Sequence, residues 1–184
     1  MKWINLLIIM PGVILFLNSC KVNTPDDFFA GKTEDAFFVE FEPDISFPVP
    51  NNEDSIDINQ DSEYEFFFET VAVPGRTGFY TLPAVKATQD LHILISGLDN
   101  MPAALSYGDI INNSGKWVTV DTLMALYYYK YITPDYSQLI GFWNNQQDKY
   151  LGIRYKNKLG WIRMSTTPGF RIKESGLVLN ADSP

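Results

Sequence analysis

Between Asp57 and Glu65 the chain reads Asp-Ile-Asn-Gln-Asp-Ser-Glu-Tyr-Glu, with oxygen-bearing side chains at the first, third, fifth and ninth positions. A hard cation takes about six to eight oxygens at short range, and a tight loop can aim them at one point. Asp57, Asn59, Asp61 and Glu65 offer side-chain oxygens, and the carbonyl of Glu63 offers one more. That set leaves room for water, so the spacing predicts a calcium site. Ser62 stands where glycine would permit the sharpest turn, and Glu65 is longer than an aspartate, so the loop is expected to open slightly. The same residue types build plain turns, because Asp, Asn and Ser bond their own backbone. A solvated acidic turn ahead of a strand is the competing reading.

Other chemistry is harder to assemble. His92 is the sole histidine and lies in Leu91-His92-Ile93-Leu94-Ile95, where alternation makes it the outward residue of a strand rather than a catalytic base. Acidic residues could meet in space as a glycosidase pair, but no pair is singled out. Flat rings stack on sugars, which makes Trp117, Trp143 and Trp161, with Tyr127, Tyr129 and Tyr131, the residues a glycan-binding surface would use. Sandwich cores also use Trp and Tyr, with the polar tip satisfied at an edge. No catalytic residue is assigned.

Cys20 is the only cysteine, so no disulfide within the chain competes for it. It follows Lys2 and an apolar stretch from Trp3 to Leu17, which is short for a bilayer span and has the layout of an export signal. The stretch ends in Leu17-Asn18-Ser19-Cys20, which resembles the lipobox of bacterial lipoproteins. That resemblance implies diacylglyceryl transfer to the Cys20 sulfur and further acylation, with palmitate among the expected chains. Multiple acyl chains give a stable anchor. The expected organisation is a signal peptide over 1–19, a lipidated tether over 20–35 and one domain over 36–184. The membrane is then a partner through Cys20, with the outer membrane, and exposure at the cell surface, as the expected location.

The formal net charge of −8 opposes binding to phosphate backbones, so nucleic acid is not expected as a partner. An apolar share of 46% and an aromatic share of 15% argue for a folded chain. From Ala36 onward, runs rich in Phe, Tyr, Val and Ile alternate with Gly, Pro, Asn and Asp, the pattern of an all-β domain. Strands are predicted at Ala36 to Phe41, Tyr64 to Val73, Leu91 to Ser96, Lys116 to Val120 and Leu123 to Ile132. Further strands are predicted at Leu139 to Trp143, Tyr150 to Tyr155, Leu159 to Ser165 and Phe170 to Lys173. Most prolines are expected in the gaps, where a missing ladder donor does no harm. The fold class is an antiparallel β-sandwich, jelly-roll-like or related. Its clearest unit is a hairpin with Leu151, Ile153, Ile162 and Met164 on the core face and Trp161 and Arg163 on the other.

The acidic loop is similar to the DxNxDGxxD loops of calcium-binding proteins. Three blocks also resemble a group of secreted or surface β-rich proteins of Bacteroidetes-type bacteria. The first is a DINGDG-like turn with an aromatic strand, matched by Asp57 to Phe68. The second is Ala-x-x-x-Gly-Asp-x-Ile before a tryptophan, matched by Ala104 to Ile111 and Trp117. The third resembles W…YIGLRF…HYGWIRLS, matched by Trp143, Tyr150 to Tyr155 and Gly160 to Ser165, with Lys158-Leu159 in place of the His-Tyr pair. The resemblance implies a sandwich-like fold, carries the acidic turn to Asp57, Asn59 and Asp61 only, and brings no reaction with it. The expected role is a non-catalytic binding or structural module of the cell envelope, with a glycan or an envelope protein as partner. The alternative is a carbohydrate-active surface protein, as a binder before a hydrolase.

Overall fold

Short apolar runs with β-branched and aromatic residues, cut by turn formers, present strand faces and no helical stripe. A computed structural model describes residues 27–47, 53–74, 79–133 and 136–179, and these form strands without a helix. Cys20, the signal segment and the first part of the tether lie outside the described residues.

In chain order the strands begin with β1 (Phe28–Phe29), β2 (Ala36–Phe47), β3 (Glu53–Ile56), β4 (Phe66–Pro74) and β5 (Phe79–Ala87). Then come β6 (Leu91–Ser96), β7 (Met101–Pro102), β8 (Ile110–Ile111), β9 (Trp117–Thr119) and β10 (Met124–Ala125). The last are β11 (Tyr127–Thr133), β12 (Tyr136–Gly141), β13 (Lys149–Tyr155), β14 (Lys158–Ser165) and β15 (Phe170–Val178). One large sheet has the order β2-β15-β14-β13-β6-β7, with β9 also paired to β6, and a smaller one has β10-β5-β4-β3. β1 pairs with β8 and β11 with β12. The ladders are antiparallel, as an all-β sandwich-like fold requires.

The main core lies between the two sheets. Ile56, Phe66, Phe68 and Val85 of the smaller sheet meet Leu91, Ile93, Leu151, Ile153, Ile162, Met164 and Ile172 of the larger one. The hairpin register Leu151↔Ile162 and Ile153↔Gly160 puts its predicted inner residues on that face. A strand's other face holds the alternate residues. Here they are not solvated: Tyr150, Leu159 and Trp161 form a second cluster with Phe28, Ala30 and Ile111. Residues 27–32, read from the sequence as part of a tether, therefore pack on the outer face of the large sheet. Phe28 and Ala30 reach their burial through tertiary contacts, and a two-residue strand has no periodicity to show in advance.

Strand assignments change in several places: Phe170 to Lys173 runs on to Val178, β3 and β5 lie where no strand was predicted, and three other runs are divided, shifted or extended. Leu123 to Ile132 is divided at the buried Leu126, whose N–H donates to the Pro83 carbonyl at 2.9 Å, so its two parts join different sheets. Leu139 to Trp143 becomes β12, which ends at Gly141 with φ +109, and Trp143 lies beyond it. Ala36 to Phe41 extends to Phe47, past Pro43. That proline sits in an edge strand where the register with β15 shifts between Ile172 and Glu174, so no ladder donor is missed there. Pro74, Pro83 and Pro102 also lie within strands rather than gaps. Along the β2 edge Glu40, Glu42 and Pro43 are exposed and Asp44 is half-buried.

Candidate metal centre

Ile56 closes β3 in the core and Phe66 opens β4 in the core, and Ile56↔Phe66 is the last ladder pair before the loop. Residues 57–65 must therefore double back above that pair. Buried Ile58 plugs the base of the loop, and Gln60 and Ser62 take φ of +57 and +75 to complete the reversal. Ser62 thus occupies the left-handed conformation that glycine adopts most easily, at the position expected from the sequence.

The carboxylates organise the loop backbone. Asp57 accepts from the N–H groups of Asn59 at 3.2 Å, Asp61 at 3.2 Å and Ser62 at 2.7 Å. Asp61 accepts from the Glu63 N–H at 2.9 Å, and Glu65 from the Ile58 N–H at 3.0 Å. Asn59 Nδ2 donates to Asp61 at 2.9 Å and to Glu65 at 3.1 Å. One ligand oxygen from each of Asp57, Asp61 and Glu65 lies within 4.8 Å of the others, so this trio could hold a metal ion. Asn59 joins it through its amide. The Glu63 side chain is exposed and outside the trio, its expected contribution being the backbone carbonyl.

Glu65 is the unusual member, at 3% exposure. Burial pushes its carboxyl above the ordinary carboxylate range, the Ile58 N–H pulls the other way, and Asp57 and Asp61 push it further up. A buried anion beside two others is costly unless a proton or a cation compensates it.

The sugar-stacking set does not form a platform. Trp143 and Trp161 are fully buried, Trp143 in the main core and Trp161 in the second cluster, so neither offers a ring face to a ligand. Trp117 is half-buried, with the Arg154 guanidinium 5.1 Å from its ring centre and its N–H donating to the Asn112 carbonyl at 3.1 Å. The burial of Trp161 reflects the packed outer layer, which strand alternation alone does not reveal. Tyr127 is half-buried and Tyr129 exposed, while the Tyr131 side chain lies outside the described residues. His92 sits in register between Arg154 and Thr119, with Nδ1 buried and without a hydrogen-bond partner.

A charged group that the sequence does not advertise lies beside the hairpin. Asp148 accepts from Arg163 at 3.0 Å and from Lys173 at 2.7 Å, and Arg163 also pairs with Glu174. The Lys173 hydrogen bond, backed by Arg163, holds the Asp148 carboxyl below its ordinary range. The β13–β14 pairing brings Asp148 to Arg163 and the β14–β15 pairing adds Lys173 and Glu174, which no local spacing foretells.

No family model matches the chain, and no curated protein or solved structure is significantly similar to it.

Proposed function

We propose that this chain is an exported, lipid-anchored module of the bacterial cell envelope, non-catalytic, in which the Asp57–Glu65 loop takes calcium as a structural ion. The observation that carries the ion reading is the meeting of three carboxylates within 4.8 Å around a buried Glu65. The loop is flexible enough in its donor set for a large cation, with water completing the shell, whereas magnesium prefers a compact octahedron. Turning the Asn59 amide over would bring Oδ1 among the same carboxylates, at the cost of the bond Oδ1 accepts from the Asp61 N–H at 2.9 Å.

Calcium is expected to raise the melting temperature of the purified domain. Saturation at about a hundred times the dissociation constant adds roughly 2.7 kcal/mol. For a chain of this size that is about 5–10 °C. Magnesium should do much less, and Asp57→Ala should erase the calcium shift. The sign of the pH dependence follows from Glu65. Its folded-state pKa is raised, so without metal its ionised form costs stability, and that cost is relieved as pH falls through the raised pKa towards the ordinary value. Protons and calcium then compete for Glu65, and the calcium shift should shrink over the same window. Identical midpoints with chelator, calcium and magnesium would reduce the loop to an acidic turn.

The anchor reading rests on the apolar leader and Leu17-Asn18-Ser19-Cys20. Cys20→Ala should abolish incorporation of labelled palmitate in growing cells. A mutant that is labelled like the parent would remove the anchor.

A further inference from the structure

Residues 27–32 are fastened to one place on the domain. β1 pairs with β8 through Phe28↔Ile111 and Phe29↔Ile110. The Ala30 N–H donates to the Asp109 carbonyl at 3.0 Å, and the Gly108 N–H donates to the Ala30 carbonyl at 2.8 Å. Asn112 Nδ2 donates to Asp27 at 3.1 Å, and the Trp161 N–H to the Lys32 carbonyl at 3.2 Å. Gly31, at φ +77, is pressed so closely that a Cβ there would stand 2.6 Å from Tyr107 and 2.7 Å from Tyr150. The strap therefore belongs to the outer face of the large sheet, under the 106–114 loop.

Only seven residue steps separate Cys20 from Asp27. At full extension they reach about 25 Å. A domain of this size is on the order of 35–40 Å across, so a lipid on Cys20 cannot pass to the opposite layer. We infer that the bilayer is the partner of the outer face of the large sheet: the 106–114 loop is held against the lipid surface, and the smaller sheet with the Asp57–Glu65 loop points away from it. This rests on the anchor reading and adds the orientation that the strap imposes.

The test uses the full chain, purified in its lipidated form and reconstituted into phosphatidylcholine vesicles that carry a nitroxide-labelled lipid. Acylation consumes the Cys20 thiol, so a single introduced cysteine can be labelled with a fluorophore. Asn113→Cys marks the loop beside the strap, and Glu53→Cys marks the smaller sheet; both positions are exposed. The Asn113→Cys label should be quenched at least about twofold more than the Glu53→Cys label, because packed sheets alone stand about 10 Å apart. Inserting twenty Gly/Ser residues before Asp27 lengthens the reach to about 90 Å and should bring the two values together. Equal quenching at native length, or a difference that survives the insertion, would overturn the strap as the cause of the orientation. The intact mass separates the two readings: an unacylated protein removes the anchor and the orientation with it, whereas an acylated protein with equal quenching removes the orientation alone.

Discussion

A chain ending at Lys156 is expected not to fold, and this is the largest loss that any change considered for this protein would cause. In the order β2-β15-β14-β13, the missing residues include both central strands that join β2 to β13. Ile162, Met164, Phe170, Ile172 and Leu177 leave the main core with them, and Leu159 and Trp161 leave the outer cluster. Full burial of each large apolar side chain is worth about 1.5–3 kcal/mol. Seven such losses come to about 10–21 kcal/mol, against a whole-domain stability of about 5–15 kcal/mol, so they match or exceed it. β2 and β13 would also expose ladder edges that invite association. The measurement is thermal and urea unfolding followed by near-ultraviolet circular dichroism. A truncated protein with a cooperative transition like the parent's would refute the sheet order as the source of stability.

Trp161→Ala should lower stability by about 3–5 kcal/mol, the usual cost of emptying a large aromatic site. For a domain of this length that is a fall in melting temperature of roughly 6–20 °C. Trp161 has no exposed surface, meets Tyr150 edge-on at 5.3 Å and 88°, and has Phe38 at 6.2 Å. Its ring also fills the space beside Gly176, where a Cβ would lie 2.7 Å away. Losing the indole leaves the Lys32 carbonyl without its donor, so residues 27–35 should become cleavable by protease in the native state. Trp161→Phe keeps most of the packing but not the N–H, and should fall between the two. A Trp161→Ala midpoint within a degree or two of the parent's would show that the outer cluster contributes little.

The hairpin from Lys149 to Ser165 was legible because its inner face obeys a period of two over both strands. Leu151, Ile153, Ile162 and Met164 stand in the core where alternation puts them. Trp161 shows where that reasoning stops, since alternation gives the face of a residue but not whether another segment covers that face. The cover comes from Phe28 and Ala30, more than a hundred residues earlier in the chain. Pro83 illustrates a second limit. A residue's N–H and C=O point to the same side of a strand, and the Pro83 carbonyl receives Leu126 at the end of the short β10 ladder. The missing N–H therefore faces the side where pairing stops, a fact about the neighbour and not about Pro83. The acidic loop was legible in both residue type and turn geometry, because its donors lie within nine consecutive residues. The Asp148, Arg163, Lys173 and Glu174 group was not, because its partners are 11 to 25 residues apart and meet only through the sheet.

The charged margin of β2 bears on crowding. Two copies meeting margin to margin in antiparallel alignment would bring Glu40, Glu42 and Asp44 of one chain against the same carboxylates of the other. Like charges set opposite each other oppose strand pairing, and Pro43 offers no donor to the growing ladder. Twelve residues of open strand would otherwise be a template for pairing with a second chain. The acidic margin therefore favours separate molecules over edge-to-edge pairs at high local concentration.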